Sequence, residues 1–487
     1  MLYSMDLTVL NLAVPKLSAA LRPTSTELLW IVDIYGFVLA GALIPMGVLG
    51  DRIGRRRLLL VGAAAFGCAS VVAAFAPSVE SLIAARALLG LAAATLAPST
   101  LSLLRSMFLD PKQRTFAVGV WIASFSAGGA IGPLIGGVLL QFFWWGSVFL
   151  INLPVMTLLL AVGPRLLPEF RDPQAGRPDV LSAALCIATV LAVIYGVKHI
   201  AGSGADWVAA GSIVLGLAIG AVFLRQQRKL AQPFIDLRLF RRGMFSAALA
   251  INVLGFFVAF GTFLLIAQYL QLVIGLSPLA AGLWSAPSGL AFVVGAMLTP
   301  RIVNHLRPPQ VIAAGFVIAA LGFGLLTQTG GAHDLAVVVG AYTVFSLGLA
   351  PVFTLASDLV VSTAPPERAG AAAGISEMSA ELGGALGIAL LGSVVTVVYR
   401  GAVAGALGGG LPPDALEAAR DTLGGALFAA GALPHEIGAP LVEGARSAFV
   451  EAFQATALTS AAMALIAAAA TALLLDRRKT SSRDSIG

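Results

Sequence analysis

The feature that most constrains this chain is a series of long apolar runs, separated by short polar connections, from the N-terminus to residue 475. The fourteen runs hold 18 to 30 residues each, enough for a helix to cross a hydrocarbon core about 30 Å thick. Apolar residues make up 58% of the 487 and charged residues only 11%, whereas soluble domains carry about 25% charged residues. The sequence therefore predicts an all-α polytopic membrane protein.

The positive charges predict the orientation of these spans. Twenty-three of the 30 Lys and Arg residues fall in alternate connections. Six belong to the other side, four in connections and two near span ends at Lys16 and Lys198, while Arg86 lies within a span. Because Lys and Arg concentrate on the cytoplasmic side, we expect a cell-membrane protein with both termini cytoplasmic. Asp6 comes so early that we also expect the native start to lie upstream of Met1. The predicted spans are 1–20, 29–49, 58–76, 81–104, 116–140, 147–164, 179–200, 207–224, 244–272, 279–300, 310–328, 335–357, 370–399 and 450–475.

A faint internal repeat matches residues 49–54 after the second span with residues 298–303 after the tenth. It predicts two six-helix halves with two additional helices between them, an arrangement typical of transporters. The connection 401–449 has helical apolar spacing in two places, so we predict a partly helical external segment there. The predicted divisions are 1–178 for the first half, 179–243 for the two additional helices and a linker, 244–476 for the second half, and 477–487 for a cytoplasmic tail.

Several classes of protein are excluded. The sequence pI is about 9.6, but the basic residues cluster between apolar runs as topology determinants do, so we expect no nucleic-acid partner. Cys68 and Cys186 lie inside apolar runs without a CxxC partner, which argues against a disulfide or a metal site. The chain has no Walker A loop and no GxSxG motif, and His435-Glu436 lacks a second His at Ala439. We therefore expect neither an enzyme nor a cofactor.

The run 370–399 carries two acids, Glu377 and Glu381, four residues apart on one helix face that also holds Gly370 and Gly384. One ionisable group at mid-span costs about 2.5 to 3.5 kcal/mol, which favours an interior position for both. At about 6 Å and an effective dielectric near 20, two carboxylates repel by roughly 3 kcal/mol. We expect at least one to hold a proton near neutral pH and to exchange it for a cation. A structural pair bonded to the backbone is the alternative.

Two glycine-rich segments stand out. The first closes the second span, where glycines permit a tight turn and Asp51 precedes Arg55 by one helical turn; a plain positive-inside cluster is the alternative. The second lies in the fifth span, where small residues favour close packing and bending. The residues concerned are Gly47, Gly50, Asp51, Arg52, Gly54, Arg55 and Arg56 in the first segment, and Gly128, Gly132, Pro133, Gly136 and Gly137 in the second.

These motifs resemble those of the major facilitator drug/proton antiporters. The resemblance rests on Gly50-Asp51-Arg52-x-Gly54-Arg55-Arg56, on Arg86 with Gly90, on Gly132-Pro133-x-x-Gly136-Gly137 and on residues 5–11. Fourteen spans, the segment 269–278 and the acid pair make the chain similar to the fourteen-span branch, which exports quaternary ammonium compounds, dyes and fluoroquinolones. The similarity covers essentially the whole chain.

The resemblance implies roles for individual residues. Asp6 corresponds to an acid that engages cation or proton, and Arg86 to an arginine tied to proton coupling. Asp51 and Arg55 correspond to a conformational latch, and the two glutamates to the protonation and cation site. One departure is that residues 282–300 contain no acid, which puts a second site for bulky dications in doubt.

Three residues have two interpretations each. Asp33 either pairs with Arg86 or has a looser role near the membrane interface. Phe256 and Phe260 either line a pocket for aromatic cations or pack in the core or against lipid, and we favour packing.

The function implied is proton-driven export of small lipophilic cations by a monomer that contacts cargo, protons and the lipid bilayer. An exporter of an endogenous metabolite or self-made antibiotic is the alternative, and a transporter-like sensor without flux is a third possibility.

Overall fold

The protein is described here by a computed structural model, and the description covers most of the predicted spans. The residues described are 2–108, 110, 113, 117, 128, 131–132, 134–169, 179–203, 206–230, 239–241, 243–330, 334–363, 369–406 and 412–476. Within these ranges the chain is almost wholly helical and contains no strand, which confirms the predicted all-α class.

The helices are numbered in chain order, and short turns are left unnumbered. The first eight are α1 (Leu2–Leu21), α2 (Ser25–Ile53), α3 (Arg55–Ala74), α4 (Val79–Met107), α5 (134–142), α6 (Asn152–Leu166), α7 (Val180–Ser203) and α8 (Trp207–Lys229). The others are α9 (Gly243–Gln268), continued by a π-helical turn (Tyr269–Val273), then α10 (Pro278–Ile302), α11 (Pro308–Leu326), α12 (Asp334–Ser362), α13 (Ala369–Ala406), α14 (Pro413–Asp421), α15 (Leu423–Gly431) and α16 (His435–Asp476).

Among the described residues, eleven helices are long and apolar enough to cross a membrane. Shorter apolar stretches occur in α1 (Val9–Leu21) and α7 (Val180–Val193). The fifth predicted span, 116–140, lies mostly outside the described residues. The polytopic character is thus confirmed, while the count of fourteen stays a prediction.

The chain forms two compact units, of which the first holds residues 1–235 and 277–283 and the second holds residues 236–276 and 284–487. In the first unit, α4 packs on α2 and α3, and α7 packs on α2 and α8. A Cβ at Gly90 of α4 would collide with the carbonyl oxygen of Tyr35 in α2. The absence of a side chain there lets the two helix backbones touch.

In the second unit, α13 packs on α9, and α11 packs on α12 and α16. Added Cβ atoms at Gly383 and Gly387 of α13 would collide with backbone carbonyls of α9. The two helices run in the same direction, because Asn252 meets Ser379 near their beginnings while Gly261 meets Gly387 further on. This close contact fixes the position of the helix that carries Glu377.

The segment predicted to be partly helical contains two complete short helices, α14 and α15, and the beginning of α16. The Tyr399 hydroxyl donates to the Ala419 carbonyl at 2.9 Å, and Arg400 pairs with Asp421 at 2.7 Å, which ties α13 to α14. Helix α16 begins at His435 and has 42 residues, so it starts about four turns before the predicted span 450–475 and includes the second stretch of helical spacing. An apolar-run criterion stops at charged residues, whereas Glu and Arg continue a helix readily.

Candidate functional site

A buried charge pair joins three helices of the first unit. The Arg86 side chain on α4 is fully buried, and its Nη1 lies 2.5 Å from Asp6 Oδ2 on α1. Its other two nitrogens donate to α2, Nε to the Ile31 carbonyl at 3.0 Å and Nη2 to the Val32 carbonyl at 3.1 Å. Each nitrogen therefore has an acceptor, which is the condition for a buried charge to be tolerated.

The ring of Tyr35 completes this arrangement, because the guanidinium carbon of Arg86 lies 4.6 Å from its centroid. Close approach of α4 to α2 at Gly90, one turn after Arg86, makes these contacts possible. The structure thus brings together Asp6 and Arg86, which were predicted as members of one coupling set. The sequence leaves open a pairing with Asp33, but the ion pair is with Asp6; Asp33 is itself buried on α2.

Asn152 is a member of this cluster that the sequence analysis missed. It is fully buried near the start of α6, its side chain lies beside the Asp6 carboxylate, and its Nδ2 is 3.4 Å from Ser70 Oγ. An Asn inside an apolar run was the available signal, since an amide is costly to bury without polar partners.

The first glycine-rich segment is two helix ends with one residue between them, so the prediction of a loop over 50–57 is wrong. Helix α2 continues to Ile53, and α3 begins at Arg55. Gly54 between them has φ of +111°, a conformation that side chains disfavour. A Cβ at Gly50 would lie 3.1 Å from the buried Arg55 side chain, so this glycine makes room for the arginine.

Other members of the segment are less informative. A Cβ at Gly47 would make only ordinary contact with Pro98 at 3.8 Å. Asp51 and Arg52 lie in the last turn of α2, and their side chains are outside the described residues. The latch between Asp51 and Arg55 therefore stays a prediction.

Glu169, which the sequence analysis did not select, closes the start of α3. Its Oε1 accepts from the Arg56 backbone N–H at 3.1 Å, and its Oε2 lies 3.6 Å from Arg56 Nε. Arg56 Nη1 also donates to the carbonyls of Pro164 and Leu167 at the end of α6. Because the N-cap Gly54 has no side chain, Glu169 supplies the acceptor that a capping side chain normally provides.

We expect Glu169→Ala to slow transport while leaving equilibrium cargo binding nearly unchanged. Loss of a capping acceptor costs about 0.5–2 kcal/mol, which loosens the α3–α6 junction. Gly54→Ala should have the same effect, since its Cβ would lie 2.5 Å from Glu169 Oε1. The measurements are initial transport rates and cargo binding by the purified variants, with the exposed Glu80→Ala as the control. If the losses of transport rate were additive in the variant with both Glu169→Ala and Gly54→Ala, the two residues would not act through one shared contact.

The second glycine-rich segment is described only in part. Gly128 and Gly132 are helical and buried, while Pro133 is outside the described residues. A Cβ at Gly136 would lie 2.8 Å from Val9 on α1, and one at Gly137 would lie 2.8 Å from the Pro278 carbonyl at the start of α10. These glycines serve close helix packing, as predicted, and the bending role stays a prediction.

In the second unit, Asn252 of α9 holds the turn of α13 that carries Glu377. Asn252 is fully buried, and its Nδ2 donates to the Ser376 carbonyl at 3.0 Å and to Ser379 Oγ at 2.9 Å. These contacts flank Glu377 on both sides along the helix. The sequence analysis missed Asn252, and the signal was again an amide inside an apolar run.

Glu377 itself is half-buried, and no hydrogen bond or ion pair joins its carboxylate to another described residue. The alternative, a structural pair bonded to the backbone, therefore shows no such bond at Glu377 within the described part of the chain. Glu381 lies one turn later in α13, with its side chain outside the described residues. Gly384 lies on the Glu377 face, as predicted, and a Cβ there would be 3.3 Å from the Phe260 ring.

Phe260 belongs to a chain of contacting aromatic rings that we call the aromatic ladder. Its members are Phe256, Phe260 and Phe263 on α9 with Tyr342 and Phe353 on α12. Successive ring centroids lie 4.2 Å apart for Phe353 and Phe256, 5.9 Å for Phe256 and Phe260, 5.6 Å for Phe260 and Phe263, and 5.5 Å for Phe263 and Tyr342. All five side chains are partly exposed. They pack on one another, as the favoured interpretation held, and none of the five is fully buried.

Comparisons with known proteins show the family to which the chain belongs. The model of the Major Facilitator Superfamily matches residues 1–388. The chain is 40% identical to the multidrug efflux pump LfrA of Mycolicibacterium smegmatis, covering 96% of this chain and 93% of that protein. It is 36% identical to the methyl viologen resistance protein SmvA of Salmonella typhimurium, covering 95% and 93%. It is 31% identical to the tetracenomycin C resistance and export protein of Streptomyces glaucescens, covering 96% and 88%.

A solved structure shows the same fold. A bacterial homologue of the human lysosomal transporter Spinster, in an inward-facing and unoccupied conformation, superposes with a TM-score of 0.63 at 18% identity, covering 97% of this chain and 95% of that one. The family model and the efflux relatives match most of the chain, and both agree with its apolar helices and its buried charge pair. The chain belongs to the Major Facilitator Superfamily, as a membrane transporter of the drug-efflux type.

Proposed function

We propose that this transporter exports small lipophilic cations in exchange for protons, by alternating access, as a monomer with both termini cytoplasmic. The observation that carries the proposal is the position of Glu377 on the face of α13 that meets the aromatic ladder two turns later, where a Cβ at Gly384 would lie 3.3 Å from the Phe260 ring. A half-buried carboxylate without a described partner needs a counter-charge, and partly exposed rings supply apolar contact.

The carboxylate matches the positive charge of a lipophilic cation, and the aromatic rings match its apolar part. Aromatic ring faces attract cations by about 0.5 to 2 kcal/mol, depending on desolvation. The carboxylate supplies the charge that binds the cation only when it is ionised. Cation and proton therefore compete for Glu377, and this competition couples export to proton entry. The energy comes from the proton gradient, so the mechanism needs no cofactor.

The Asp6–Arg86 pair gives the first unit its own proton-sensitive contact. A proton on Asp6 removes the charge that neutralises Arg86, and the buried guanidinium then lacks its counter-ion. Such a contact has two states that differ in charge, which is what a conformational switch requires. We assign this pair to the coupling between protonation and conformation, and we assign cargo contact to Glu377.

The printed names of the relatives support export of toxic organic compounds, with methyl viologen and multiple drugs among them. A second candidate is export of an antibiotic-type metabolite. It is favoured by the similarity to the tetracenomycin C resistance and export protein. Flat ring systems of either cargo could stack on the aromatic ladder.

Ethidium transport in inverted membrane vesicles tests the proposal. With an imposed pH gradient, acidic inside, we expect ethidium to accumulate and to leak out when an ionophore collapses the gradient. Uptake that continues without the gradient would contradict proton coupling. Gradient-driven uptake of an uncharged aromatic polyketide, together with no uptake of ethidium, would favour the second candidate.

A further inference from the structure

The second unit contains a cavity of about 1230 Å³ away from Glu377. It lies between Thr329 and Gly330 after α11, the start of α12, helix α15 and the first five turns of α16, next to the π-helical turn that ends α9. Polar contacts hold its walls in place: Arg446 Nε donates to the Leu272 carbonyl at 2.9 Å, and Gln454 Nε2 donates to the Thr329 carbonyl at 2.6 Å.

The length of α16 places this cavity outside the bilayer. Its 42 residues extend about 63 Å, twice the thickness of a hydrocarbon core. Residues 452–475 contain no charge and are sufficient to span, and the basic cluster Arg477-Arg478-Lys479 follows directly after Asp476. The first part of α16, with the cavity, therefore projects from the opposite side of the membrane to that cluster. By the distribution of Lys and Arg, that side is external.

The charges around the cavity favour a cation. Three carboxylates line it, those of Asp334, Glu443 and Glu451, against one guanidinium, that of Arg446. Asp334 accepts hydrogen bonds from the Tyr269 hydroxyl at 2.5 Å and from the Gly330 N–H at 2.9 Å. Glu443 and Glu451 are exposed and lie two turns apart on α16.

The spacing and the remaining walls favour a large organic cation over a metal ion. Within the part of the chain that is described, no group of three or more His, Cys, Asp or Glu side chains could hold a metal. The other walls include the apolar side chains of Leu427, Val442 and Val450. The volume exceeds the roughly 300–1,000 Å³ of typical small-molecule sites, so a bulky guest fits.

We propose that this cavity is an external exit site, which binds the same lipophilic cations weakly after they leave the inner site. The proposal rests on the proposed function for the nature of the cargo. Exposed carboxylates attract a cation weakly in water and at physiological salt, which suits release. The apolar wall holds the organic part of the cation.

Cysteine protection tests the exit site in the full-length protein. Ser447 is exposed and lines the cavity, so Ser447→Cys, made with Cys68→Ser and Cys186→Ser, places one thiol inside it. We expect a membrane-impermeant maleimide to label this thiol in intact cells. In purified protein, tetraphenylphosphonium at ten times its dissociation constant should slow labelling about tenfold, because the free fraction falls as 1/(1 + [L]/Kd).

Two controls separate specific occupancy from general effects. Ala432→Cys places a thiol at the exposed end of α15, outside the cavity lining, and should show no protection. Glu443→Gln with Glu451→Gln should remove the protection of Ser447→Cys, while Glu417→Gln with Glu436→Gln, an equal loss of charge on the same segment, should keep it.

Three results would overturn the exit site. They are labelling of Ser447→Cys from the cytoplasmic side only, no protection by the cation, and equal protection of Ala432→Cys. Protection measures binding and needs no gradient. Its failure is therefore distinct from failure of proton coupling, which the vesicle assay detects.

Discussion

Replacement of Glu377 by Gln abolishes gradient-driven ethidium uptake. Gln has the shape of a protonated Glu but can neither release a proton nor neutralise a cation, so the exchange on α13 stops. We expect the initial rate in inverted vesicles to fall by roughly 10² or more, the lower end of what one positioned proton-transfer group contributes. Glu377→Asp keeps the charge on a shorter side chain and should retain part of the rate.

The matched control is Glu436→Gln, which removes one carboxylate from the same unit but from the exposed part of α16, outside the exit-site lining. It should leave most of the gradient-driven rate intact. Near-normal uptake by Glu377→Gln would contradict the assignment of Glu377. If uptake were lost only in the variant with both Glu377→Gln and Glu381→Gln, either glutamate alone would be sufficient for the exchange of proton and cation.

Replacement of Arg86 by Met strongly destabilises the protein. The change leaves Asp6, only 5% exposed, without its counter-ion and removes the two hydrogen bonds from Arg86 to α2 carbonyls. Breaking one side of a buried pair costs about 3–5 kcal/mol. We expect a lower midpoint of thermal unfolding in detergent and a smaller yield of folded protein. Arg57→Met, at an exposed position at the start of α3, should change neither.

A double-mutant cycle separates the charge pair from packing. Arg86→Met with Asp6→Asn removes both charges, so the double variant should be more stable than Arg86→Met alone, with a coupling energy of about 0.5–3 kcal/mol. Additive losses from the two single changes would contradict a direct interaction. Arg86→Lys keeps the charge but not the three-nitrogen geometry, and we expect an intermediate midpoint.

The fold class follows from the sequence because a bilayer requires each crossing segment to be apolar and long, which leaves a visible pattern. Where a helix projects beyond the bilayer, this pattern ends before the helix does. The charged residues from Glu436 to Glu451 therefore kept the first four turns of α16 out of the predicted span 450–475. For the same reason, Asp51 and Arg52 read as loop residues although α2 includes both.

In the candidate sites, too, some residues are visible from the sequence and others are not. Two acids in one apolar run identify Glu377 as a candidate functional residue, because ionisable groups inside a membrane span cost free energy. Their neighbours come from other helices and carry no periodic signal: Phe353 and Tyr342 join the aromatic ladder from α12, and Asn252 reaches α13 from α9. Such contacts depend on the rotation and the register of packed helices, which composition does not encode.

The partner of Arg86 illustrates this limit. Asp33 and Asp6 are both acids in neighbouring spans, and spacing along the chain does not distinguish them. The close approach at Gly90 aligns α4 with α2 so that Arg86 meets the Ile31 and Val32 carbonyls, and the remaining nitrogen points to α1. The choice of Asp6 is thus a result of three-helix packing.

Proton release on cation binding is the most direct test of exchange at Glu377. Purified protein in weakly buffered detergent solution near neutral pH would receive tetraphenylphosphonium while a pH dye records released protons. The exchange predicts a saturable release, about one proton for each cation bound at the inner site, which disappears in Glu377→Gln and persists in Glu436→Gln. Binding without proton release, or equal release from Glu377→Gln, would contradict it.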